Sequence, residues 1–216
     1  SFELEKTLIT KGKADALAMV HDMIHKPGSV SYVRQQDPAG LGHAVWCARN
    51  MVHDEPVAIL LADDLILGQS CMAEMVAHYR GGNMVAAMNV PTDQTQSYGI
   101  ITPGKDDGKL VEVKGLVEKP KPEDAPSTIA VVGRYIIEPA VFETLSSCER
   151  SVSDEIQLTD ALAQQIGKST FYGLRFSGER FDCGSKIGFL QANIAFGMAN
   201  ETLAPELMSW IRGRLS

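Results

Sequence analysis

Apolar and polar positions along this chain fall into blocks that switch between a helical and a strand period. Residues 2–24 place Leu4, Leu8, Ala16, Val20, Met23 and Ile24 roughly on one side of a helix. Gly12 interrupts that stripe, and Pro27-Gly28 ends it. A strand is predicted at Val30-Ser31-Tyr32-Val33-Arg34, then a loop from Gln35 to Gly40, then a helix from about Leu41 through Ala48. The run Val57-Ala58-Ile59-Leu60-Leu61 reads as a buried strand, followed by a helix near 71–80, a stop at Gly81-Gly82 and a strand from Met84 to Val90. Strand, helix, strand, helix, strand at this spacing implies right-handed crossovers and a mostly parallel sheet with helices on both faces.

From residue 97 the pattern changes. Residues 97–113 read as a β-hairpin turning at Asp106-Asp107-Gly108, and Glu118-Lys119-Pro120-Lys121-Pro122 as a Pro-broken loop. A strand is expected at Ile129 to Val132, with Tyr135 to Ile137 leading to a turn at Glu138-Pro139. Ser153-Asp154-Glu155 has the cap and first-turn acids of a helix carrying Ile156, Leu158, Ala161, Leu162 and Ile166. The strand Thr170 to Phe176 and helices near 185–198 and 201–212 complete the chain. No repeat, low-complexity tract or linker divides it, so residues 1–216 are expected to form a single domain.

Composition narrows the chemistry. At 44% hydrophobic and 22% charged the chain is ordinary globular protein, and its apolar stretches fall short of the roughly 20 residues of a membrane span. Residues 1–6 carry no basic start and no apolar core of a signal peptide. With a net charge of -7 and no basic stripe, nucleic-acid binding is not expected. Cys47, Cys71, Cys148 and Cys183 are far apart and form no CxxC, which suggests reduced thiols in the cytoplasm. His21 and His25 are an i,i+4 pair without a third ligand nearby and read as a solvated helix face.

The strand at 57–61 empties into Asp63-Asp64. Ligands of open α/β sheets bind beyond the carboxyl ends of the strands, so acids there suggest a divalent metal, although Asp also suits loops and caps. Gly40-Leu41-Gly42-His43-Ala44 opens a helix and reads either as a close backbone approach to a ligand or as a tight turn. Glu118 and Lys119 read either as neighbours in an extended segment that address different parts of one ligand or as a solvated charged loop. Asp182, before Cys183-Gly184, is a second acid at a strand-to-helix junction, where an N-cap role also accounts for it.

Taken together, Tyr32-Val33-Arg34-Gln35, Gly40-Leu41-Gly42-His43-Ala44-Val45, Leu61-Ala62-Asp63-Asp64, Ser97-Tyr98-Gly99, Val117-Glu118-Lys119-Pro120, Val132-Gly133-Arg134-Tyr135, Asp154-Glu155-Ile156-Gln157-Leu158-Thr159-Asp160 and Asp182-Cys183-Gly184 resemble the bacterial UTP–glucose-1-phosphate uridylyltransferases, the UDP-glucose pyrophosphorylases, in order and spacing from about residue 2 to about residue 200. The resemblance implies a three-layer α/β/α Rossmann-like nucleotide-diphospho-sugar transferase fold. It implies a Mg²⁺-dependent transfer from UTP to glucose 1-phosphate, giving UDP-glucose and pyrophosphate by in-line attack without a covalent intermediate.

Residue by residue, the resemblance makes Asp63 and Asp182 the metal carboxylates. It makes Gln35 and Gly40 uracil-reading positions, Gly99 and Glu118 contacts of the glucose hydroxyls, and Lys119 the cation on the sugar phosphate. Asp63, Lys119 and Asp182 are then the catalytic set. Gly133 and Lys186 are expected near the sugar, and Asp64 behind the metal ligands. Family members are commonly dimers or tetramers, and Leu203 to Leu215, with Trp210 and Ile211, offers an apolar stripe for docking or for packing on its own domain.

The family's opening strand and G-x-G-T-R loop have no counterpart in these residues. The chain starts where the family pattern is already roughly 60 to 70 residues along, about one βαβ unit. It is therefore expected to be N-terminally truncated, without the first βαβ part, and impaired on its own. The alternatives at this point are a non-catalytic binding member of the family and a thymidylyltransferase of the same fold.

Overall fold

A computed structural model of the chain describes residues 2–147 and 155–215. They group into two compact units, Ser1–Gln36 and Asp37–Ser216. Cys148, and the predicted helix start at Ser153-Asp154, lie outside the described residues.

In the first unit the long helix expected over 2–24 is two helices, α1 (Phe2–Thr10) and α2 (Ala14–Asp22). Gly12 stands between them at φ 62°, a left-handed conformation that only glycine adopts freely. His21 Nε2 lies 3.4 Å from Glu5 Oε2, linking α2 to α1. The strand expected at 30–34 does not form. Its alternation is present, but a strand also needs a neighbour for its N–H and C=O groups, and residues 30–34 enter neither sheet.

The second unit carries a six-stranded sheet in the order β1 (Val57–Leu60), β6 (Ile129–Ile137), β3 (Asn83–Asn89), β7 (Phe171–Arg175), β5 (Leu110–Glu118), β4 (Gly99–Asp106). A separate two-stranded ribbon pairs β2 (Asp64–Leu67) with β8 (Glu179–Asp182). The α/β class is as expected, but the mostly parallel sheet is not. Among the described residues β3–β7 is the one parallel strand pairing. The crossover through α4 (Cys71–His78) does return β3 in the direction of β1. However, β6 arrives from later in the chain and runs antiparallel between those two strands, and β5 runs antiparallel beside β7.

Strand alternation sets the layers. On β3, Val85 and Ala87 face a core built with α3 (Leu41–Cys47), α5 (Ala140–Ser147) and α6 (Leu158–Ala163), through Leu41, Val45, Phe142, Leu145, Leu158 and Leu162. Met84 and Ala86 face the opposite layer, where α4 contributes Cys71 and Met75. Ser70 caps α4, its hydroxyl accepting from Ala73 N at 3.3 Å. The unit ends in α7 (Lys186–Ala199) and α8 (Ala204–Leu215).

The β3–β6 ladder carries one irregularity. Val85 pairs with Tyr135 but the next residue, Ala86, pairs with Val132, so Gly133 and Arg134 bulge out of the β3–β6 ladder. The two strand segments predicted at 129–132 and 135–137 are therefore one strand, kinked at Gly133-Arg134. Bulges of this kind bend a strand and re-aim its side chains, often beside a functional site.

Candidate functional site

The bulge holds the end of β1. Leu61 N donates to Gly133 O at 2.9 Å, and the Arg134 guanidinium donates to Leu61 O, also at 2.9 Å, and to Asp64 O. Pinned at both ends, the turn through Ala62 and Asp63 exposes Asp63 and buries Asp64 to 5% of its accessible surface. The Asp64 carboxylate accepts from Gly133 N at 2.6 Å on one oxygen, and Arg180 Nε donates to the other, with Arg180 Nη2 also against it. Gly133 is required here: a Cβ would overlap Asp64 Oδ2 and stand 2.8 Å from Leu61 Cβ. The adjacent acids thus have different fates, Asp64 spent on an internal ion pair and Asp63 left accessible.

Asp182 arrives from the other strand of the ribbon, where it is paired with Asp64. Its Oδ1 accepts from Gly184 N at 3.0 Å, and the next residue ties the two segments together, Cys183 N donating to Asp63 O at 2.7 Å. The N-cap alternative for Asp182 does not hold, because Ser185 caps α7 and accepts from Gly188 N at 3.0 Å. A point in space shows the convergence: a Cβ on Gly184 would stand 3.1 Å from Asp182 Oδ1 and 3.3 Å from Asp63 Oδ2.

Both acids line a cavity of about 420 Å³ in the second unit. Of the residues named from sequence, Gly40, Asp63, Asp64, Gly99, Glu118, Lys119, Gly133 and Asp182 line it together. Gln35 belongs to the first unit. Lys186 begins α7, is exposed, and is not among the lining residues. The β4–β5 pairing puts Gly99 opposite Glu118, and a Cβ on Gly99 would meet Glu118 Oε2 and Thr159 Oγ1 at 3.2 Å each. Gly40 has φ 94°, and a side chain there would press on Ile156 O at 2.8 Å. That close approach lets Gly42 N donate to Ile156 O at 2.8 Å, fixing the 155–159 segment along the cavity.

Lys119 is the one non-glycine residue with positive φ among the described residues, at 47°. It precedes a proline, a setting that favours extended backbone instead. Lys119 N donates to Tyr98 O at 2.9 Å, and its Nζ lies 3.4 Å from Glu118 Oε1.

Carboxylates outnumber cations along this wall. Asp63, Asp64, Glu118, Glu155 and Asp182 face Lys119 and Arg180, and one of those cations is already committed to Asp64. The imbalance shows in the neighbours: burial and then the Glu118 charge push the Asp160 carboxyl up, and burial followed by Glu118 and Asp64 pushes the Tyr135 phenol up, keeping it neutral. Burial works against the Arg180 charge, but Asp64 and Tyr98 outweigh it and hold the guanidinium more firmly protonated.

Anionic ligands do not suit such a wall unless a cation accompanies them. Two hard carboxylates facing one point fit Mg²⁺, which is commonly held by one or two carboxylates together with substrate phosphates. Among the described residues no group of three or more His, Cys, Asp or Glu forms a cage for a metal.

Arg180, Tyr98 and Thr159, given no role from sequence, line the cavity, as does Glu155, expected in the first turn of a helix but lying before α6, which starts at Leu158. A signal for Arg180 was available: it stands two residues before Asp182, hence on the same face of any strand containing both.

The chain matches the family model described as nucleotidyl transferase over residues 5–197. It is 49% identical over 190 residues to a UTP–glucose-1-phosphate uridylyltransferase of Komagataeibacter xylinus, covering 87% of this chain and 67% of that protein. A UTP-bound UGPase from Acinetobacter baumannii superposes with a TM-score of 0.85 at 34% identity, over 98% of this chain and 75% of the other. A UDP-glucose pyrophosphorylase in complex with UDP-glucose gives a TM-score of 0.78 at 36% identity, over 88% and 74%.

Proposed function

Because the chain belongs to the nucleotidyl transferase family, among the bacterial UTP–glucose-1-phosphate uridylyltransferases, we propose that its cavity transfers a uridylyl group from UTP to glucose 1-phosphate. A phosphate oxygen of the sugar phosphate attacks the α-phosphorus of UTP in line. A new P–O bond forms, the bond from the α-phosphorus to the bridging oxygen of the β-phosphate breaks, and pyrophosphate leaves with that electron pair. The nucleophile is already an anion, so the reaction needs positioning and charge neutralisation rather than a general base.

The observation that carries this reading is the convergence of Asp63 and Asp182 beside Lys119 in one cavity. Asp63 and Asp182 would hold Mg²⁺, which supplies charge neutralisation on the triphosphate when bound. Lys119 pairs with the sugar phosphate. Gly99 leaves room for the sugar at the strand edge, where Glu118 accepts from glucose hydroxyls, and Gly133 lies along the same wall. Gly40 serves the uracil side. The contact of Gln35 with uracil rests on the string Tyr32-Val33-Arg34-Gln35 alone.

Residues 1–216 act as one nucleotidyltransferase domain in this reading, supported by a family match that runs across the boundary at residue 36. Self-association into a dimer or tetramer through Leu203 to Leu215 is part of it, supported by the exposure of Leu203, Trp210 and Leu215. The location proposed is the cytoplasm, where UTP is made; among the described residues no helix is long and apolar enough to cross a membrane. Initial rates with UTP and with dTTP, each with glucose 1-phosphate and Mg²⁺, test the substrate assignment. UTP is expected to be strongly preferred, and equal rates would overturn the uridylyl reading.

A further inference from the structure

Lys119 holds a left-handed backbone conformation that is unfavourable for a non-glycine residue, and the following Pro120 disfavours it further. Such strain persists only where the surroundings over-determine it. What fixes it here is traceable bond by bond. Lys119 N donates to the carbonyl of Tyr98 at 2.9 Å. The Tyr98 hydroxyl in turn accepts from Arg180 Nη1 at 2.9 Å, and the guanidinium carbon lies 5.4 Å from the centre of the Tyr98 ring. Arg180 has 11% of its side chain exposed, and its other nitrogens are taken by Asp64, which is anchored to the β6 bulge through Gly133 N. The path from the bulge to Lys119 is therefore Gly133, Asp64, Arg180, Tyr98, Lys119, each step a hydrogen bond.

The same guanidinium faces the metal side. Arg180 Nη2 lies 3.9 Å from Asp182 Oδ2, while Asp182 Oδ1 accepts from Gly184 N. Arg180 thus reaches both Tyr98 and Asp182 along the cavity wall.

We propose that Arg180 and Tyr98 are positioning residues for sugar-phosphate binding: anchored by Asp64, they set the Tyr98-Gly99 edge and hold Lys119 where its ammonium meets the phosphate of glucose 1-phosphate. This rests on the role given to Lys119 under the proposed function and adds how that cation is placed. A specific asymmetry follows, because among the described residues the hydrogen bonds of the clamp lead to Lys119, the residue assigned to the sugar phosphate. Weakening it should affect glucose 1-phosphate more than UTP.

The test is Tyr98→Phe, which removes one oxygen and keeps the ring packed against the cluster of Val90, Ile100 and Ala130. Steady-state kinetics with Mg²⁺, isothermal calorimetry of glucose 1-phosphate binding and thermal melting are measured together, beside Lys119→Ala and the double variant. Loss of one side-chain hydrogen bond corresponds to about a three- to tenfold rise in the KM for glucose 1-phosphate, matched in calorimetry, with the KM for UTP within about twofold. In Lys119→Ala the tyrosine change should add little, since the cation it positions is gone. Arg180→Lys should raise the same KM; if that variant fails to fold, Tyr98→Phe still decides.

Equal losses toward both substrates, a lowered melting point with unchanged KM values, or full additivity with Lys119→Ala would each overturn the clamp. A parent protein that neither binds glucose 1-phosphate nor forms UDP-glucose would overturn the proposed function and this role with it. An active parent with an unaffected Tyr98→Phe variant overturns the clamp alone.

Discussion

Asp64 and Asp182 stand directly opposite each other in the β2–β8 ribbon, yet they serve different ends. Asp64 turns inward to Arg180 and Gly133, whereas Asp182 turns one oxygen toward Asp63. The pairing thereby places a structural acid and a candidate metal ligand side by side, and adjacent acids in sequence, Asp63 and Asp64, divide in the same way.

Asp64→Ala should be among the most damaging single changes in the second unit. It leaves the Arg180 guanidinium buried without its carboxylate, and breaking a buried pair from one side typically costs about 3–5 kcal/mol. Urea unfolding measures it. A loss of less than about 1 kcal/mol, well below the usual cost of an orphaned buried charge, would show that Asp64 does not anchor the ribbon.

Gly133→Ala tests the bulge. Its methyl would collide with the Asp64 carboxylate and crowd Leu61, so something in the turn must shift. A loss of about 1–3 kcal/mol is expected from overpacking of this kind. Because the same turn carries Asp63, UDP-glucose formation should fall at temperatures where the variant is still fully folded by circular dichroism.

At Lys119 stability and function should separate. Glycine tolerates φ 47° and alanine does not, so Lys119→Gly should be more stable than Lys119→Ala by about 1 kcal/mol. Both lose the cation, and both should lose affinity for glucose 1-phosphate. Equal melting points for the two variants would argue against strain at this position.

Acid stability should depend on Glu74. Burial pushes its carboxyl up, but hydrogen bonds from Lys109 and from Ser177, whose N donates at 3.0 Å and hydroxyl at 3.1 Å, outweigh it and leave the pKa below its ordinary 4.5. A depressed carboxylate contributes stability that is complete above its unfolded pKa and is lost as pH falls through the folded value. Unfolding free energy should therefore decline below about pH 4.5, and Glu74→Gln should flatten that decline while lowering stability at neutral pH. A variant with the parent's acid profile would assign the decline to other groups.

Much of the scaffold was legible because it is written in local apolar runs. β3 and β6 are buried on both faces and appear as Met84 to Ala87 and Ile129 to Val132, while the β4–β5 hairpin was announced by its Gly108 turn. Three things were not. The sheet direction depended on which strand enters between β1 and β3, a matter of long-range pairing that no local period encodes. β2 and β8 are four-residue strands mixing acids, arginine and apolar residues, and each finds its ladder partner more than a hundred residues away. α5 was hidden behind Glu138-Pro139, read as a turn although proline suits a helix start; Val141, Phe142 and Leu145 then pack into the core.

The candidate site follows the same division. Asp63, Glu118, Lys119 and Asp182 were nameable from their strings, and the fold brings them to one cavity. The task of Asp64 was not nameable, since it exists only once Arg180 arrives from 116 positions away.

Asp63 and Asp182 are proposed to serve the substrates' phosphates rather than the fold. The most direct test of that role is the rate of UDP-glucose formation from UTP, glucose 1-phosphate and Mg²⁺ by the Asp63→Ala variant beside the parent protein, with melting points taken on the same samples. The account predicts a fall of about a hundredfold or more, the scale of removing a preorganised electrostatic partner, with the melting point unchanged because Asp63 is exposed and its backbone contacts are retained. A variant as active as the parent, or one whose lost activity tracks a collapsed melting point, would contradict it.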